Sequence, residues 1–234
     1  MIANNNILGR IRTALGHKET IAPPARYLAA APAVPVASRA ELVQLFCDEL
    51  TRVGGNVCQA ESGAGLKNRL EEILLRERPA LVALSDVVVT AHEELLNSLA
   101  VNGIDVLIPP QPSESAEFDV YRRELLAADI GVTTADYAIA DTGTLVLLSG
   151  GECHRLISLL PPVHICLLDS ARIFPNLAQL LRHLHSQVYS EAHSDKSPPQ
   201  ATTFITGPSR TADIEHILTT GVHGPSRLEA LITH

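Results

Sequence analysis

The chain has 234 residues, of which 46% are hydrophobic and 3% aromatic, and it contains no tryptophan. This length and composition fit an α/β domain with a sizeable aliphatic core and exclude a wholly disordered chain. The formal net charge is −8 without a basic stripe, and no apolar run approaches the ~20 residues that cross a bilayer, so neither nucleic-acid binding nor a membrane span is expected.

A helical arm is predicted at the start of the chain, where apolar residues have the spacing of an amphipathic helix: Ile7, Leu8, Ile11 and Leu15. A Pro- and Ala-rich linker follows, from about residue 21 to residue 37. Pro32 and Pro35 interrupt its alanine stretch, which favours a cytoplasmic protein over a secreted one. We therefore divide the chain into an arm with its linker, residues 1–37, and an α/β domain, residues 38–234.

From Ser38 onward, predicted helices alternate with predicted strands. Ser38 and Glu41 have the spacing of a capping box that opens a helix. Helical spacing recurs in four later segments, around Leu70, Leu96, Tyr121 and Leu184. Short apolar runs predict strands at residues 81–84, 104–108, 163–168, 203–206 and 228–232. The alternation is typical of an α/β fold with a mainly parallel sheet flanked by helices.

An antiparallel hairpin is predicted where two strand-like runs, 135–140 and 145–148, follow each other closely. The turn between them, Asp141-Thr142-Gly143-Thr144, contains a carboxylate and two hydroxyl groups. It either contacts a ligand or simply shapes the hairpin. Asp-Thr-Gly is also the aspartic-protease triplet, but those enzymes use a pair of such carboxylates, and this chain has one copy.

Three stretches in this order and spacing resemble the LUD domain of the lactate utilization protein C family: residues 135–147, 155–165 and 207–225. The resemblance implies a Rossmann-like sheet related to the NagB/RpiA/CoA-transferase fold group. It also implies an accessory, non-redox subunit in a three-protein system that oxidises L-lactate to pyruvate. In that system the partner subunits hold iron–sulfur clusters, and one partner shares the LUD domain.

The cysteines agree with a chain that binds no cluster or other cofactor itself. Cys47, Cys58, Cys153 and Cys166 lack the close spacing that iron–sulfur ligation needs. The histidines likewise lack the spacing of a zinc site, so no metal is expected.

A small-anion site is predicted where residues 207–215 follow a strand. Gly207 and Pro208 make a turn, after which Ser209 or Thr211 is expected to cap a helix. The positive helix end and the Arg210 guanidinium would bind a carboxylate or a phosphate. The candidate ligands here are Gly207, Ser209, Arg210, Thr211 and Asp213. The alternative is ordinary capping, with Arg210 in a surface ion pair.

Other candidate residues lie outside this segment. His223, within the tight Gly221–Pro225 loop, is either a proton donor and acceptor or a structural histidine. Arg155 pairs either with an acidic ligand or with a nearby carboxylate. We include Thr142, Gly143 and Thr144 among the ligand-binding candidates. A stand-alone enzyme for a phosphorylated sugar or a CoA thioester is the alternative function, with Asp141 or His223 moving protons.

Overall fold

The computed structural model describes residues 13–14, 38–61, 63–110, 115–149, 154–188, 199, 201–211 and 219–234. Thr13 and Ala14 are helical, as expected for the arm. The remaining residues of 1–37 lie outside the described part, so the division at residue 37 stays a prediction. The polar segment 190–200 also lies outside it except for Pro199.

The described strands and helices alternate along most of the domain. The strands are β1 (Asn56–Ala60), β2 (Leu81–Leu84), β3 (Asp105–Leu107), β4 (Ile130–Thr134), β5 (Tyr137–Ile139), β6 (Thr144–Ser149), β7 (Val163–Asp169), β8 (Ile173–Phe174), β9 (Ala201–Ile205), β10 (Arg210–Thr211), β11 (Thr219–Thr220) and β12 (Arg227–Thr233). The helices are α1 (Arg39–Arg52), α2 (Gly63–Glu77), α3 (Asp86–Ala91), α4 (Glu93–Val101), α5 (Ser115–Leu125), α6 (His154–Ile157) and α7 (Leu177–Gln187).

Six of the strands form one parallel sheet, in the order β1, β12, β7, β4, β2, β3. The central strands β7 and β4 are buried on both faces because helices or a second sheet cover each side. Helices α2, α3 and α4 cover one face, and their leucine and valine side chains pack against those of Leu84, Val132 and Leu167. This parallel sheet flanked by helices confirms the predicted fold class.

The opposite face of the parallel sheet is covered by α1, by helices α5 and α6, and by a second sheet of order β8, β5, β6, β9. Strands β5 and β6 are antiparallel, with Ala138 opposite Leu145, and they confirm the predicted hairpin. Helix α7 packs on the outer side of this second sheet through Leu180 and Leu184.

Helix α1 begins as the sequence predicts. Ser38 Oγ accepts a hydrogen bond from the Glu41 amide at 3.3 Å, and the Glu41 carboxylate accepts one from the Ser38 amide at 2.7 Å. This capping box satisfies two amides that a helix start leaves without partners. The buried face of α1, with Phe46 and Leu50 fully buried, then packs against the second sheet.

One local prediction is wrong. Residues 209–211 do not open a helix, because Arg210 and Thr211 form strand β10, which pairs antiparallel with Thr219 and Thr220. The predicted helix beyond Thr211, and Asp213 with it, lies outside the described residues. No helix in the described part of the chain is long and apolar enough to cross a bilayer.

Candidate functional site

A pocket of about 370 Å³ lies beside the amino-terminal ends of β7 and β12. Its walls come from the segment before β7, from the end of β9 and from the loop before β12: Arg155, Ser158, Leu159, Thr203, Phe204, Ile205, Thr206, Gly207, Ser209, Arg210, His223, Gly224 and Pro225. The Ser226 amide donates to the Pro162 carbonyl at 2.9 Å, which joins the two walls where β12 and β7 begin. We call this site the amino-edge pocket.

The amino-edge pocket brings together five of the sequence-predicted residues: Arg155, Gly207, Ser209, Arg210 and His223. Residues 207–210 follow β9 of the second sheet, so the pocket does lie at the carboxyl end of a strand. Relative to the parallel sheet, however, they lie at the opposite edge from the one where α/β proteins usually bind ligands.

Positive charge dominates the amino-edge pocket. Arg155 and Arg210 are both exposed, and no carboxylate is among the lining residues that the structure describes. Within the described residues, neither guanidinium has an ion pair or a hydrogen bond, so the alternative of a surface ion pair has no support there. Two guanidinium groups and nearby hydroxyl groups are suited to a carboxylate or a phosphate.

Ser209 joins the two loops of the amino-edge pocket rather than capping a helix. Its amide donates to the Pro225 carbonyl at 2.8 Å, and its carbonyl accepts from the Gly221 amide at 2.9 Å. Its hydroxyl accepts from the His223 amide at 3.3 Å. These three hydrogen bonds hold the Gly221–Pro225 loop against the segment that follows β9. The exposed His223 of this loop lines the pocket.

Arg210 crosses the carboxyl-terminal end of α1. A Cβ built on Gly54, which has a φ of +90°, would lie 2.0 Å from an Arg210 guanidinium nitrogen. Glycine at this position therefore leaves the space that the guanidinium occupies. The carbonyl end of a helix carries partial negative charge, so this position also favours a cation.

The Asp141–Thr144 turn contacts α1 instead of lining the amino-edge pocket. Gly143 has a φ of +61°, and a Cβ there would lie 2.3 Å from the Leu50 amide nitrogen. Partial burial and the nearby Glu49 carboxylate raise the pKa of Asp141. In this structure Asp141 is thus placed apart from His223, the other catalytic candidate.

A chain of hydroxyl groups links this turn to the amino-edge pocket. Thr142 Oγ1 lies 2.8 Å from Thr144 Oγ1, which lies 2.7 Å from Thr206 Oγ1. Thr144 is buried, whereas Thr206 lines the pocket. The link through Thr206 was not foreseen from the sequence, since it joins positions 62 residues apart.

A second concavity, of about 320 Å³, opens at the carboxyl ends of β4, β7 and β12. Its lining is Leu66, Val87, His92, Thr134, Ala135, Asp136, Leu167, Leu168, Asp169, Arg172 and Thr233. We call it the carboxyl-edge crevice. None of these residues was predicted from the sequence as a ligand. The signal that could have found them is a polar residue directly after a strand, as at Asp169.

Metal and cluster ligands are not grouped in the described part of the chain. No three His, Cys, Asp or Glu side chains there lie close enough together to hold a metal ion. Cys47, Cys58 and Cys166 are free thiols, and Cys153 lies outside the described residues. His183 instead packs on Tyr137 and Phe174, with its Nε2 atom 3.3 Å from the Tyr137 hydroxyl.

Comparison with known proteins assigns the chain to a family. The LUD domain family matches residues 43–233. A lactate utilization protein C from an Exiguobacterium species is 32% identical over 98% of this chain and 95% of its own length. Another lactate utilization protein C, from Halalkalibacterium halodurans, is 46% identical over 43% of this chain, and that match covers 42% of its own length.

A solved structure agrees with the fold. The crystal structure of a DUF162 family protein from Deinococcus radiodurans has a TM-score of 0.55 and 21% sequence identity, and the match covers 85% of this chain and 99% of that one. At this identity the likeness concerns the fold alone. The LUD match and the nearly full-length relative together show that the chain belongs to the lactate utilization protein C family of LUD domain proteins.

Proposed function

We propose that this protein is an accessory, non-redox component of a cytoplasmic system that oxidises L-lactate to pyruvate. The observation that carries the proposal is the 32% identity to a lactate utilization protein C over 98% of the chain. The iron–sulfur clusters of the system would belong to partner subunits, one of which shares the LUD domain.

The cysteines support a role without a cluster of its own. Cys47 and Cys166 are buried in the core that joins α1 to the two sheets, where they act as small apolar side chains. Cys58 lies on β1, and its sulfur accepts from the Arg69 guanidinium at 3.1 Å. Iron–sulfur ligation requires several thiolates around one point, and no three Cys, His, Asp or Glu side chains among the described residues are grouped in that way.

Purification of a tagged copy from cells grown on L-lactate tests the proposal. We expect L-lactate-dependent dye reduction and protein-bound iron to be recovered with the tagged chain. The chain expressed alone should reduce no dye and contain no iron. Dye reduction with lactate by the isolated chain at a useful rate would contradict the accessory role.

A second candidate is a stand-alone enzyme for a phosphorylated sugar or a CoA thioester. The observation in its favour is the amino-edge pocket, where Arg155 and Arg210 line a cavity without a carboxylate among its described lining residues. Phosphate would bind the guanidinium groups, and His223 would move a proton, since histidine is the side chain best suited to gain and lose a proton near neutral pH.

Calorimetry separates the two candidates. The second requires a sugar phosphate or an acyl-CoA to bind the isolated chain, and Arg210→Ala to weaken that binding. If neither compound binds at millimolar concentration, this candidate is rejected, while the accessory role is unaffected.

A further inference from the structure

We propose that the carboxyl-edge crevice binds a small 2-hydroxycarboxylate, with Arg172 holding the carboxylate and His92 facing the hydroxyl-bearing carbon. This inference rests on the proposed role in lactate oxidation and names the site and ligand class for it. The amino-edge pocket, by contrast, would serve a more highly charged anion.

The topology of the sheet places the crevice where a ligand site is expected. After β2 and after β1 the chain leaves toward one face of the sheet, into α3 and α2. After β4 and β7 it leaves toward the other face, into the second sheet. Connections that separate in this way open a crevice at the carboxyl ends of parallel strands, and ligands of open α/β sheets bind there.

Arg172 is held in a defined place at the crevice. It lies in the short helical turn Ser170–Arg172, whose start is capped by Asp169 through a 2.8 Å bond from the Ala171 amide. The Arg39 guanidinium donates to the carbonyls of Ser170 and Ile173, both at 2.9 Å, and so braces the backbone on either side of Arg172.

The Arg172 side chain is also oriented. Its guanidinium carbon lies 5.7 Å from the centre of the Tyr137 ring, within the range of a cation–π contact. That ring is fixed in turn by edge-on contacts with Phe174 and His183. Within the described residues Arg172 has no hydrogen-bonded acceptor. The N–H groups at the edge of its planar guanidinium can therefore pair with a carboxylate in two parallel bonds.

His92 supplies a neutral partner on the other side of the crevice. It is half-buried between α3 and α4, and burial together with the nearby Lys67 ammonium lowers its pKa. A neutral imidazole has one donor and one acceptor nitrogen, so it can hydrogen-bond a hydroxyl group in either direction.

The charges of the crevice select the ligand class. Among the described lining residues, the crevice has one guanidinium with the carboxylates of Asp136 and Asp169, whereas the amino-edge pocket has two guanidinium groups and no carboxylate. A phosphate dianion would be repelled by the two carboxylates. A monocarboxylate that also bears a hydroxyl group matches both kinds of side chain. Its carboxylate would pair with the Arg172 guanidinium, and its hydroxyl would donate to an aspartate carboxylate. A volume of about 320 Å³ is at the small end for ligand sites.

Direct binding to the purified full chain tests the proposal, with L-lactate, propionate and inorganic phosphate as probes in ligand-observed NMR titrations. The variants are Arg172→Gln and His92→Gln, and the matched control is Arg182→Gln, at an exposed arginine of α7 that lines neither cavity. Circular dichroism verifies that each variant is folded; Arg172 and Arg182 are both exposed, so neither arginine substitution removes a buried group.

We expect L-lactate to bind more tightly than propionate, which lacks the hydroxyl group. Arg172→Gln should weaken L-lactate binding by about tenfold or more, through loss of charge-assisted hydrogen bonds, and Arg182→Gln should leave it unchanged. Failure of the wild-type chain to bind L-lactate, or equal effects of the two arginine variants, overturns the proposal. The accessory role itself is judged separately, by whether cells without the chain still oxidise lactate.

Discussion

His164 offers a sharp test of the core structure, because it is a fully buried titratable group in the middle of the parallel sheet. Its Nε2 atom lies 2.8 Å from Thr133 Oγ1, and its buried Nδ1 atom has no hydrogen-bond partner among the described residues. Burial lowers the pKa of His164 from 6.5 to about 3. The imidazole is therefore neutral in the folded protein. In the unfolded chain it is exposed to water and binds a proton with the ordinary histidine pKa of 6.5.

The sign and size of the effect follow from linkage. Between the folded and unfolded pKa values the unfolded state binds more protons, so the free energy of unfolding falls as the pH decreases from 6.5 toward 3. At about 1.4 kcal/mol per pH unit, the wild-type protein should lose about 2 kcal/mol between pH 7 and pH 5 from this residue alone. That is a sizeable part of a typical stability of about 5–15 kcal/mol.

Urea unfolding followed by circular dichroism at pH 7, 6 and 5 measures this loss, with His164→Gln as the control. Glutamine does not titrate, and its amide can still hydrogen-bond Thr133. Other titrating groups are shared, so they cancel when the two proteins are compared. We expect the stability of the wild type relative to the variant to fall by about 2 kcal/mol over this range. A constant difference would refute a neutral, buried His164.

Three further experiments test separate parts of the structure. Gly143→Ala should lower the free energy of unfolding, measured in urea, by about 3 kcal/mol, because the new Cβ would meet the α1 backbone. The control Gly103→Ala, at a φ of +69° with open space around it, should lower it by about 1 kcal/mol. Equal losses would contradict the close approach of Gly143 to α1. Thr144→Val should lower stability by about 1–2 kcal/mol through loss of the hydroxyl chain, and Thr144→Ser should largely restore it. Iodoacetamide at pH 8 should label the half-buried Cys58 but not Cys166, whose pKa burial raises to about 12; mass spectrometry showing equal labelling would oppose this burial.

The elements that could be predicted are those whose signal is local. The strand at Leu81–Leu84 is buried on both sides, so its sequence is an uninterrupted apolar run. Strand β4 was not predicted, although it is equally central. It contains Gly131, where a Cβ would lie 2.1 Å from the Ile157 carbonyl oxygen, and Thr133, which bonds His164. A buried strand is usually recognised by an uninterrupted apolar run. Gly131 and Thr133 interrupt that run in β4, because one position needs close packing and the other makes a buried polar contact.

The sites depend on contacts that the sequence does not reveal. Ser209 was expected to cap a helix, but its bonding to Pro225, Gly221 and His223 arises from the approach of two distant loops. The carboxyl-edge crevice depends on strand order, because His92 and Arg172 face one cavity only when β4 and β7 are adjacent. The grouping of Arg155 with residues 207–210 was not predicted, because no local pattern links two segments that are so distant in the chain.

The most direct test of the proposed role is L-lactate-dependent dye reduction in extracts of the source cell from which this chain has been deleted. We predict that the rate is lost on deletion and recovered when the wild-type chain is restored. A rate that is unchanged by deletion, in cells shown to contain no other lactate dehydrogenase, would contradict the proposed role.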